Sequence, residues 1–522
     1  MKKSKSVNPI GFPFYPFILA CYPVLFLFQV NFQEVDPRVI IRPLFVSVLF
    51  TLVIFLFTFA ISKDIHRTAA FTSLCIILFF SYGHLYNMFS TPAMGGFFLS
   101  RHRWLIIFYL MVFAFLTWKI FTKINGGQQL TKIFNLISLV LFALPVFQVL
   151  SASVKQGRGV ATQPWQEDRR IEYPTFEQKP DIYYIILDMY TREDTLRNEF
   201  NFDNSQFIHE LERRGFYVAN CSRTNYLQTE LSLGSSLNME YLQTLAPELD
   251  PQKGNMDGMV GYIKDNRVRI ILEQAGYKTV AFDTGYFWDS WTNSDYYFSP
   301  TTSSSVTSML TPFEGLFLNT TALLPLVESQ LLFSQNTAAE IQNPVQTHIE
   351  RELFKLNKFG QIAGISNPKF VFAHFMIPHH PFVFRKDGAI QTDIGYFSNH
   401  NTPIDEQHYR DGYIQQVEFI NQRILADIDQ ILETSKNPPI IILQGDHGAR
   451  DENRHTILNA YYLPGGDANL YPNISPVNSF RLVFDEYLNG DFGFLPDKSY
   501  FSPANRPYQY EEKPELSPSC LP

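Results

Sequence analysis

Two kinds of hydrophobic pattern follow one another along this chain. Up to residue 151, five apolar runs lie near 12–30, 44–61, 69–89, 104–120 and 133–150. Each run is close to the ~20 residues that an α-helix needs to cross the hydrocarbon core of a bilayer. The sequence therefore predicts a membrane anchor of about five transmembrane helices over residues 1–151.

After a polar linker at 152–180, the apolar runs become shorter and alternate with amphipathic segments. Runs typical of strands lie at 181–187, 277–282, 369–376 and 440–443, and helical spacing occurs at 268–275 and 405–434. Strands that alternate with helices favour a mostly parallel central sheet. We therefore predict an α/β sandwich over 181–490. A Ser/Thr-rich loop is expected at 301–307, and the Pro- and Tyr-rich tail at 491–522 is expected to wrap the surface.

The two parts differ in charge. Residues 1–151 carry 12 Lys/Arg and 3 Asp/Glu, whereas residues 152–522 carry 30 and 47. Eight of the first 12 basic residues lie on one side of the predicted helices and four on the other, which favours a cytoplasmic N-terminus. Five crossings then place residues 152–522 outside. The acidic second part has no polybasic stripe, which argues against binding to nucleic acid.

Cysteine usage adds little. Cys21 and Cys75 lie inside predicted helices, so Cys221 and Cys520 are left in the external part. A disulfide between them would suit an oxidising compartment. Nothing in the sequence requires it, and two unpaired small apolar residues are the simpler interpretation.

The clearest chemical signal is an Asp446-His447 pair, flanked by Gly445 and Gly448, directly after the strand at 440–443. A carboxylate and a neutral imidazole are good metal ligands, and open α/β sheets bind ligands at the carboxyl ends of their strands. Asp188 follows the strand at 181–187, so a parallel sheet can bring it to the same edge. For an isolated motif this short, a polar turn without function is an equal alternative.

A hydroxyl and several histidines extend the set. Thr229 opens an apolar-periodic stretch, so its hydroxyl would face the free N–H groups and the positive end of a helix. That position suits a nucleophile that attacks an anionic group, although helix capping is the commoner role. Histidines gathered near strand ends favour a metal site more than single histidines do. The histidines in question are His374, His379, His380 and His455.

At these residues the chain resembles the alkaline phosphatase superfamily, in particular its membrane-anchored, sulfatase-like branch of lipoteichoic acid synthases and lipid A phosphoethanolamine transferases. Those enzymes are similar in layout, with five transmembrane helices before an external α/β catalytic domain. The resemblance implies that Thr229, in a Thr-x-x-Ser context, is both nucleophile and metal ligand. It implies that Asp188, Asp446 and His447 complete the metal site. His379, followed by His-Pro-Phe, would contact the substrate phosphate or a second metal, with His455 beside it.

The chain departs from these families at three points. Sulfatases proper carry Cys or Ser in a C/S-x-P-x-R sequence, and the stretch at 221–223 lacks both the Pro and the spacing, so sulfatase activity itself is not expected. Asp188 stands where the two closest groups have Glu. Ile377-Pro378 precedes His379 where those groups have Gly-Ser or Thr-Ser, so their donor and acceptor pockets do not carry over.

The resemblance implies a metal-dependent reaction, with Zn²⁺ or Mn²⁺ and Mg²⁺ as a further option. A phosphoethanolamine- or phosphoglycerol-type headgroup would pass from a membrane phospholipid, through a covalent intermediate on Thr229, to a cell-envelope glycan or lipid-linked saccharide. The enzyme would lie in the cytoplasmic membrane with its catalytic domain outside. Two alternatives stay open: a phosphatase or phosphodiesterase that uses water as acceptor, and a non-catalytic membrane scaffold.

Overall fold

The computed structural model describes residues 12–31, 37–89, 99, 101–123, 127–159, 179–252, 254, 256–300, 311–328, 344–365, 368–397, 404–449, 453–466 and 469–514. The chain divides into two compact units. The membrane unit comprises 1–154 together with 301–346, and the α/β unit comprises 155–300 together with 347–522. This division differs from the predicted boundaries, because 301–346 lies within the sequence range expected for the α/β domain.

In chain order, the described α-helices are α1 (Tyr15–Val30), α2 (Ile41–Ser62), α3 (Ile65–Phe89), α4 (His102–Lys123), α5 (Gln128–Gly159), α6 (Glu193–Phe200), α7 (Ser205–Arg213), α8 (Thr229–Ser236), α9 (Leu242–Leu245), α10 (Val260–Lys264), α11 (Arg267–Gln274), α12 (Pro312–Asn319), α13 (Leu324–Glu328), α14 (Pro344–Phe359), α15 (Glu406–Thr434) and α16 (Pro476–Tyr487). The strands are β1 (Ile182–Leu187), β2 (Tyr217–Val218), β3 (Lys278–Phe282), β4 (Tyr296–Phe298), β5 (Lys369–Phe375), β6 (Ile440–Gly445), β7 (Asn459–Tyr462), β8 (Ser499–Phe501) and β9 (Glu511–Lys513).

The membrane unit contains all five predicted apolar helices, α1 to α5. Among the described helices, four are long and apolar enough to cross a membrane, within 38–62, 65–89, 102–123 and 128–148. Helix α1 has 16 residues and falls short of the ~20 that a span needs, so by this measure the predicted count of five is one too high. Helix α5 runs on to Gly159, so the predicted linker begins as helix, and 160–178 lie outside the described residues.

We call residues 311–328, which form α12 and α13, the inserted segment, because they pack on the membrane helices although they follow β4 in sequence. The Ala322 N–H donates to the Phe79 carbonyl (2.8 Å) and the Gly83 N–H donates to the Thr320 carbonyl (3.0 Å). A Cβ at Gly83 would lie 2.1 Å from the Asn319 carbonyl oxygen, so α3 needs glycine there. The shared apolar core consists of Phe313, Phe317, Ala20, Val24, Phe28, Ile76 and Phe80. The loop predicted at 301–307 lies outside the described residues.

The α/β unit is built on a seven-stranded sheet in the order β2-β7-β6-β1-β5-β3-β4. Five neighbouring strands, from β6 to β4, are parallel, whereas β7 is antiparallel to both of its neighbours. The four predicted strands are β1, β3, β5 and β6, and the mostly parallel sheet is confirmed. In the register, Ile182 lies opposite both Phe370 and Ile440. The carboxyl ends of β1, β5 and β6 therefore meet at one edge.

Helices cover both faces of this sheet. Alternate residues of β1 point to opposite faces: Tyr184 belongs to one core with residues of α8, α11 and α16, and Tyr183 meets Phe359 of α14 on the other face. Helix α15, predicted from its apolar stripe, is capped by Asp405, whose carboxylate accepts the N–H groups of residues 407 and 408. The result is a three-layer α/β/α sandwich.

Part of the C-terminal tail belongs to the body of the α/β unit. Strands β8 and β9 form an antiparallel hairpin, and the Tyr500 N–H donates to the Asn225 carbonyl (2.9 Å). Cys221 is disulfide-bonded, whereas Cys21 and Cys75 are free. The interpretation of Cys221 as an unpaired apolar residue is therefore wrong; its bonding partner lies outside the described residues, as does Cys520.

Candidate active site

Asp188, Asp446 and His447 meet at the carboxyl edge of the sheet. Because β1 and β6 are parallel neighbours with Leu187 opposite Gly445, the residues that follow the two strands lie side by side. One potential ligand atom from each of the three lies within 4.8 Å of the others, and all three side chains are buried. These are three of the residues that the sequence proposed as metal ligands.

The donor atoms of this group fit a divalent cation. Asp188 Oδ1 and Asp446 Oδ2 are buried, and neither has a hydrogen-bond partner within the described part of the chain. His447 Nδ1 lies 3.0 Å from the Gly448 carbonyl, so the proton belongs on Nδ1, and the Nε2 lone pair is left 3.5 Å from Asp446 Oδ2. Two unpartnered carboxylate oxygens and an oriented imidazole suit Zn²⁺ or Mn²⁺.

A cationic side chain already lies at this group. Arg454 Nη2 is 3.0 Å from His447 Nε2, which is the nitrogen that would bond a metal. Burial and then Arg454 lower the pKa of His447, so the imidazole is neutral at pH 7, the form that binds metals. The Asp446 carboxylate is oriented by a backbone hydrogen bond, because its Oδ1 accepts the Met189 N–H (2.9 Å).

The two glycines of the motif permit close packing. A Cβ at Gly445 would lie 2.3 Å from the Tyr190 carbonyl oxygen, and one at Gly448 would lie 2.7 Å from the Thr456 carbonyl oxygen. Real Cβ atoms do not approach backbone this closely, so both positions require glycine. Close contact with neighbouring backbone is thus the reason for both glycines, and neither has a positive φ.

Thr229 is the first residue of α8, as predicted, and its hydroxyl has no hydrogen bond within the described part of the chain. The neighbouring hydroxyls are all engaged. Ser232 donates to the Asp446 carbonyl (2.8 Å), Thr224 to the Tyr226 carbonyl (2.9 Å), and Ser222 to the Ile474 carbonyl (2.6 Å). The Ser232 bond joins the first turns of α8 to the metal-ligand segment, and Thr229 is left as the free hydroxyl of this stretch.

Glu230, the second residue of α8, lies near other carboxyl groups. Burial is the largest cause that raises the pKa of Glu230 to about 7, and the carboxylates of Asp289, Asp188 and Asp446 add to the rise. Carboxylates gathered near the start of α8 favour a bound cation.

His379 lies beside the same group. Its ring is 6.5 Å from that of His447, and its Nδ1 is 2.6 Å from the His380 carbonyl, so Nε2 is the nitrogen left for a substrate. Burial alone would raise the pKa of Asp188, but His379, His374 and His447 outweigh it and hold that pKa below its usual range.

His455 has different surroundings from those expected. Burial, Arg223 and Arg192 lower its pKa to about 3, so it is a neutral residue among cations. Across the described residues, no contact joins it to His379 or to the metal-ligand group. The residue of this segment that reaches the group is Arg454, which the sequence interpretation overlooked.

Asp289 was missed as a site residue, whereas His374 was among the histidines named from the sequence but was given no role. His374 Nδ1 lies 2.8 Å from Asp289 Oδ2, and its Nε2 lies 3.4 Å from Asp188 Oδ2. Burial acts to lower the pKa of His374, but the two carboxylates raise it to about 10. A signal for His374 existed, because it lies at the carboxyl end of a predicted strand. Asp289 lies in a loop that gave none.

No protein-family model matches the sequence, and no curated protein resembles it closely enough to count as a relative. Solved structures do resemble the chain. The C-terminal periplasmic domain of EcEptC from Escherichia coli is 13% identical, with a TM-score of 0.39, over 67% of this chain and 98% of that one. Integral membrane lipooligosaccharide phosphoethanolamine transferase A from Neisseria meningitidis is 13% identical, with a TM-score of 0.33, over 91% and 95%.

A sulfatase is among these structures as well. BT1596, a 2-O GAG sulfatase, is 10% identical, with a TM-score of 0.37, over 62% of this chain and 77% of that one. Phosphoethanolamine transferases and a sulfatase are thus among the solved structures that this chain resembles. At this level of similarity they assign no function to this chain, whose chemistry follows from its own residues.

Proposed function

We propose that this protein is a metal-dependent transferase that moves a phospho-headgroup from a membrane phospholipid to a cell-envelope glycan or lipid-linked saccharide. One observation carries the proposal. The buried, unpartnered oxygens of Asp188 and Asp446 lie with His447 at the sheet edge to which Ser232 ties the first turns of α8, and that helix begins with the free hydroxyl of Thr229.

Asp188, Asp446 and His447 would hold the metal, with the Thr229 oxygen as a further ligand. When bound, Zn²⁺ or Mn²⁺ supplies Lewis acidity that lowers the pKa of a hydroxyl and polarises a phosphate oxygen. The neutral Nε2 of His447 and the two carboxylates give a donor set of net charge −2, which matches a divalent cation.

In the first step, the Thr229 oxygen attacks the phosphorus of the donor phosphodiester. A new P–O bond forms to Thr229, the P–O bond to diacylglycerol breaks, and diacylglycerol leaves with a proton. In the second step, an acceptor hydroxyl attacks the same phosphorus and Thr229 is released. The N–H groups at the start of α8 would offset negative charge on the phosphoryl oxygens. Arg454, whose Nη2 lies at His447 Nε2, would leave that nitrogen when a metal binds and would then offset the same charge. His379 Nε2 would serve proton transfer to the leaving oxygen.

A lipid donor is consistent with the membrane unit. A phospholipid does not leave the bilayer, so an enzyme that uses it gains from being anchored there. We propose the cytoplasmic membrane with the α/β unit outside, and the Lys/Arg bias favours an N-terminus inside. This arrangement needs an odd number of crossings, so it requires that α1, with its 16 residues, crosses together with the four longer helices. A disulfide at Cys221 suits an oxidising compartment. Reporter fusions after residue 160 should report the external side, and a cytoplasmic signal would exclude this arrangement.

The reaction is tested with purified full-length protein, a headgroup-labelled phospholipid and candidate glycans. Transfer of label to the glycan supports the proposal, whereas label that appears only in water-soluble headgroup phosphate indicates a hydrolase. The matched variants are Thr229→Ala, which should be inactive, and Thr229→Ser, which keeps a hydroxyl and should retain part of the turnover. Absence of both reactions in the wild-type protein, with metal bound, would favour the scaffold alternative.

A further inference from the structure

A row of buried polar side chains runs along the carboxyl edge of the sheet towards Asp188. Thr284 follows β3, His374 lies in β5, and Asp188 follows β1, in the order in which these strands are neighbours. Asp289 completes the row. The Thr284 hydroxyl donates to Asp289 Oδ1, Asp289 Oδ2 lies 2.8 Å from His374 Nδ1, and His374 Nε2 lies 3.4 Å from Asp188 Oδ2.

This geometry makes His374 a bridge between two carboxylates. Nδ1 is hydrogen-bonded to Asp289 Oδ2, and Nε2 faces Asp188 Oδ2 at 3.4 Å without a hydrogen bond among the described residues. The side chains of His374 and Asp289 are both 0% exposed, so solvent does not compete for either contact.

The bridge distinguishes the two oxygens of Asp188. Oδ2 faces His374 Nε2 at 3.4 Å, whereas Oδ1 is buried, has no hydrogen-bond partner among the described residues and lies 3.8 Å from His447 Nε2. The carboxylate is thus fixed with one defined oxygen towards the metal-ligand group.

We propose that Asp289 and His374 are positioning residues, which hold Asp188 in the orientation that presents Oδ1 to the metal. The inference rests on the proposed metal dependence of the site and assigns a task to two residues outside the ligand set. Outer partners of metal ligands commonly contribute about 10- to 100-fold to metal affinity, and the Asp289–His374 pair should do the same through Asp188.

The test compares Asp289→Asn with a matched control, Asp283→Asn. Both remove one carboxylate from the segment after β3, but Asp283 pairs with Arg351 (3.2 Å) and does not touch His374. Full-length protein in detergent is stripped with a chelator, and the Zn²⁺ dissociation constant is measured by competition with a chromophoric chelator. The absorption spectrum of the Co²⁺-loaded protein reports the coordination geometry independently of turnover.

Asp289→Asn should weaken Zn²⁺ binding by about 10- to 100-fold and change the Co²⁺ spectrum, whereas Asp283→Asn should leave both as in the wild type. Thr284→Val, which removes only the hydroxyl that bonds Asp289, should give a smaller loss of affinity in the same direction and serves if Asp289→Asn does not fold. Wild-type Zn²⁺ affinity in folded Asp289→Asn or Thr284→Val would overturn the positioning role alone. Failure of the wild-type protein to bind Zn²⁺ or Mn²⁺ would overturn the proposed function as well.

Discussion

Replacing Asp446 by Asn should change the stability of the metal-free and metal-loaded protein in opposite directions. The introduced amide would keep the bond to the Met189 N–H through its Oδ1, so the segment after β6 should keep its course. What is lost is one negative charge within 4.8 Å of another, that of Asp188. Two such charges repel by about 3–4 kcal/mol at an effective dielectric constant of ~20, and His374 offsets part of this.

The metal-free Asp446→Asn protein should therefore unfold at a higher temperature than the wild type, by about 2–6 °C if ~1–3 kcal/mol is released. The wild type should gain about 2.7 kcal/mol at a metal concentration 100 times its dissociation constant, or roughly 5 °C in a unit of this size. The variant, short of one ligand, should gain almost nothing. A stabilised apoprotein that no longer responds to metal is the expected signature.

Thermal unfolding of the full-length protein in detergent, followed by tryptophan fluorescence, measures both effects. Samples in chelator give the metal-free value, and a Zn²⁺ titration gives the response. Asp427→Asn is the matched control, because it removes a buried carboxylate from α15 that is not part of the ligand group, and its metal response should equal that of the wild type. An equal response from Asp446→Asn would show that the Asp-His pair is only a turn.

Three further outcomes are expected. Brief incubation with donor should leave the phospho-headgroup on a peptide that contains Thr229, and none in Thr229→Ala. Ser232→Ala should only weaken turnover, because it loses a bond to the Asp446 carbonyl worth about 0.5–1.5 kcal/mol; a phospho-headgroup on Ser232 would refute the assignment. Burial raises the pKa of Asp427 to about 7, above its unfolded value of ~3.9, so ionisation of this group lowers the stability of the protein as pH rises from about 4 to 7. Asp427→Asn should therefore be more stable than the wild type at pH 8 and equal to it near pH 4; equal melting temperatures at pH 8 would contradict this. Gly83→Ala should destabilise the membrane unit by forcing the inserted segment off α3, seen as faster proteolysis within 311–328, and wild-type protection would show that the contact is dispensable.

The metal-ligand group could be predicted because its parts follow from local rules. Apolar runs identify β1 and β6, their composition indicates buried parallel strands, and parallel strands bring Asp188 and Asp446 to one edge. Thr229 follows from the same kind of rule, as the first residue of a periodic stretch.

The remaining neighbours of the site depend on tertiary contacts. Arg454 and His455 are adjacent in a turn, where no regular periodicity determines which way each side chain points. The sequence does not reveal which one faces the metal ligands; the family resemblance favours His455, whereas Arg454 makes the contact. Asp289 lies outside any periodic segment, so its bond to His374 could not be predicted. The packing of the inserted segment on the membrane helices could not be predicted either, because its apolar helices are too short to be recognised as membrane spans.

The inserted segment has a practical consequence for producing this protein in pieces. A soluble fragment that begins at the linker would still contain 301–346, with Phe313 and Phe317 deprived of the helices that bury them. Apolar patches of this kind promote aggregation. Expression of the α/β unit alone should therefore require deletion of 301–346 and a flexible peptide that joins the two ends. Cleavage before residue 179 should instead release a fragment that still binds detergent through the apolar side chains of the inserted segment.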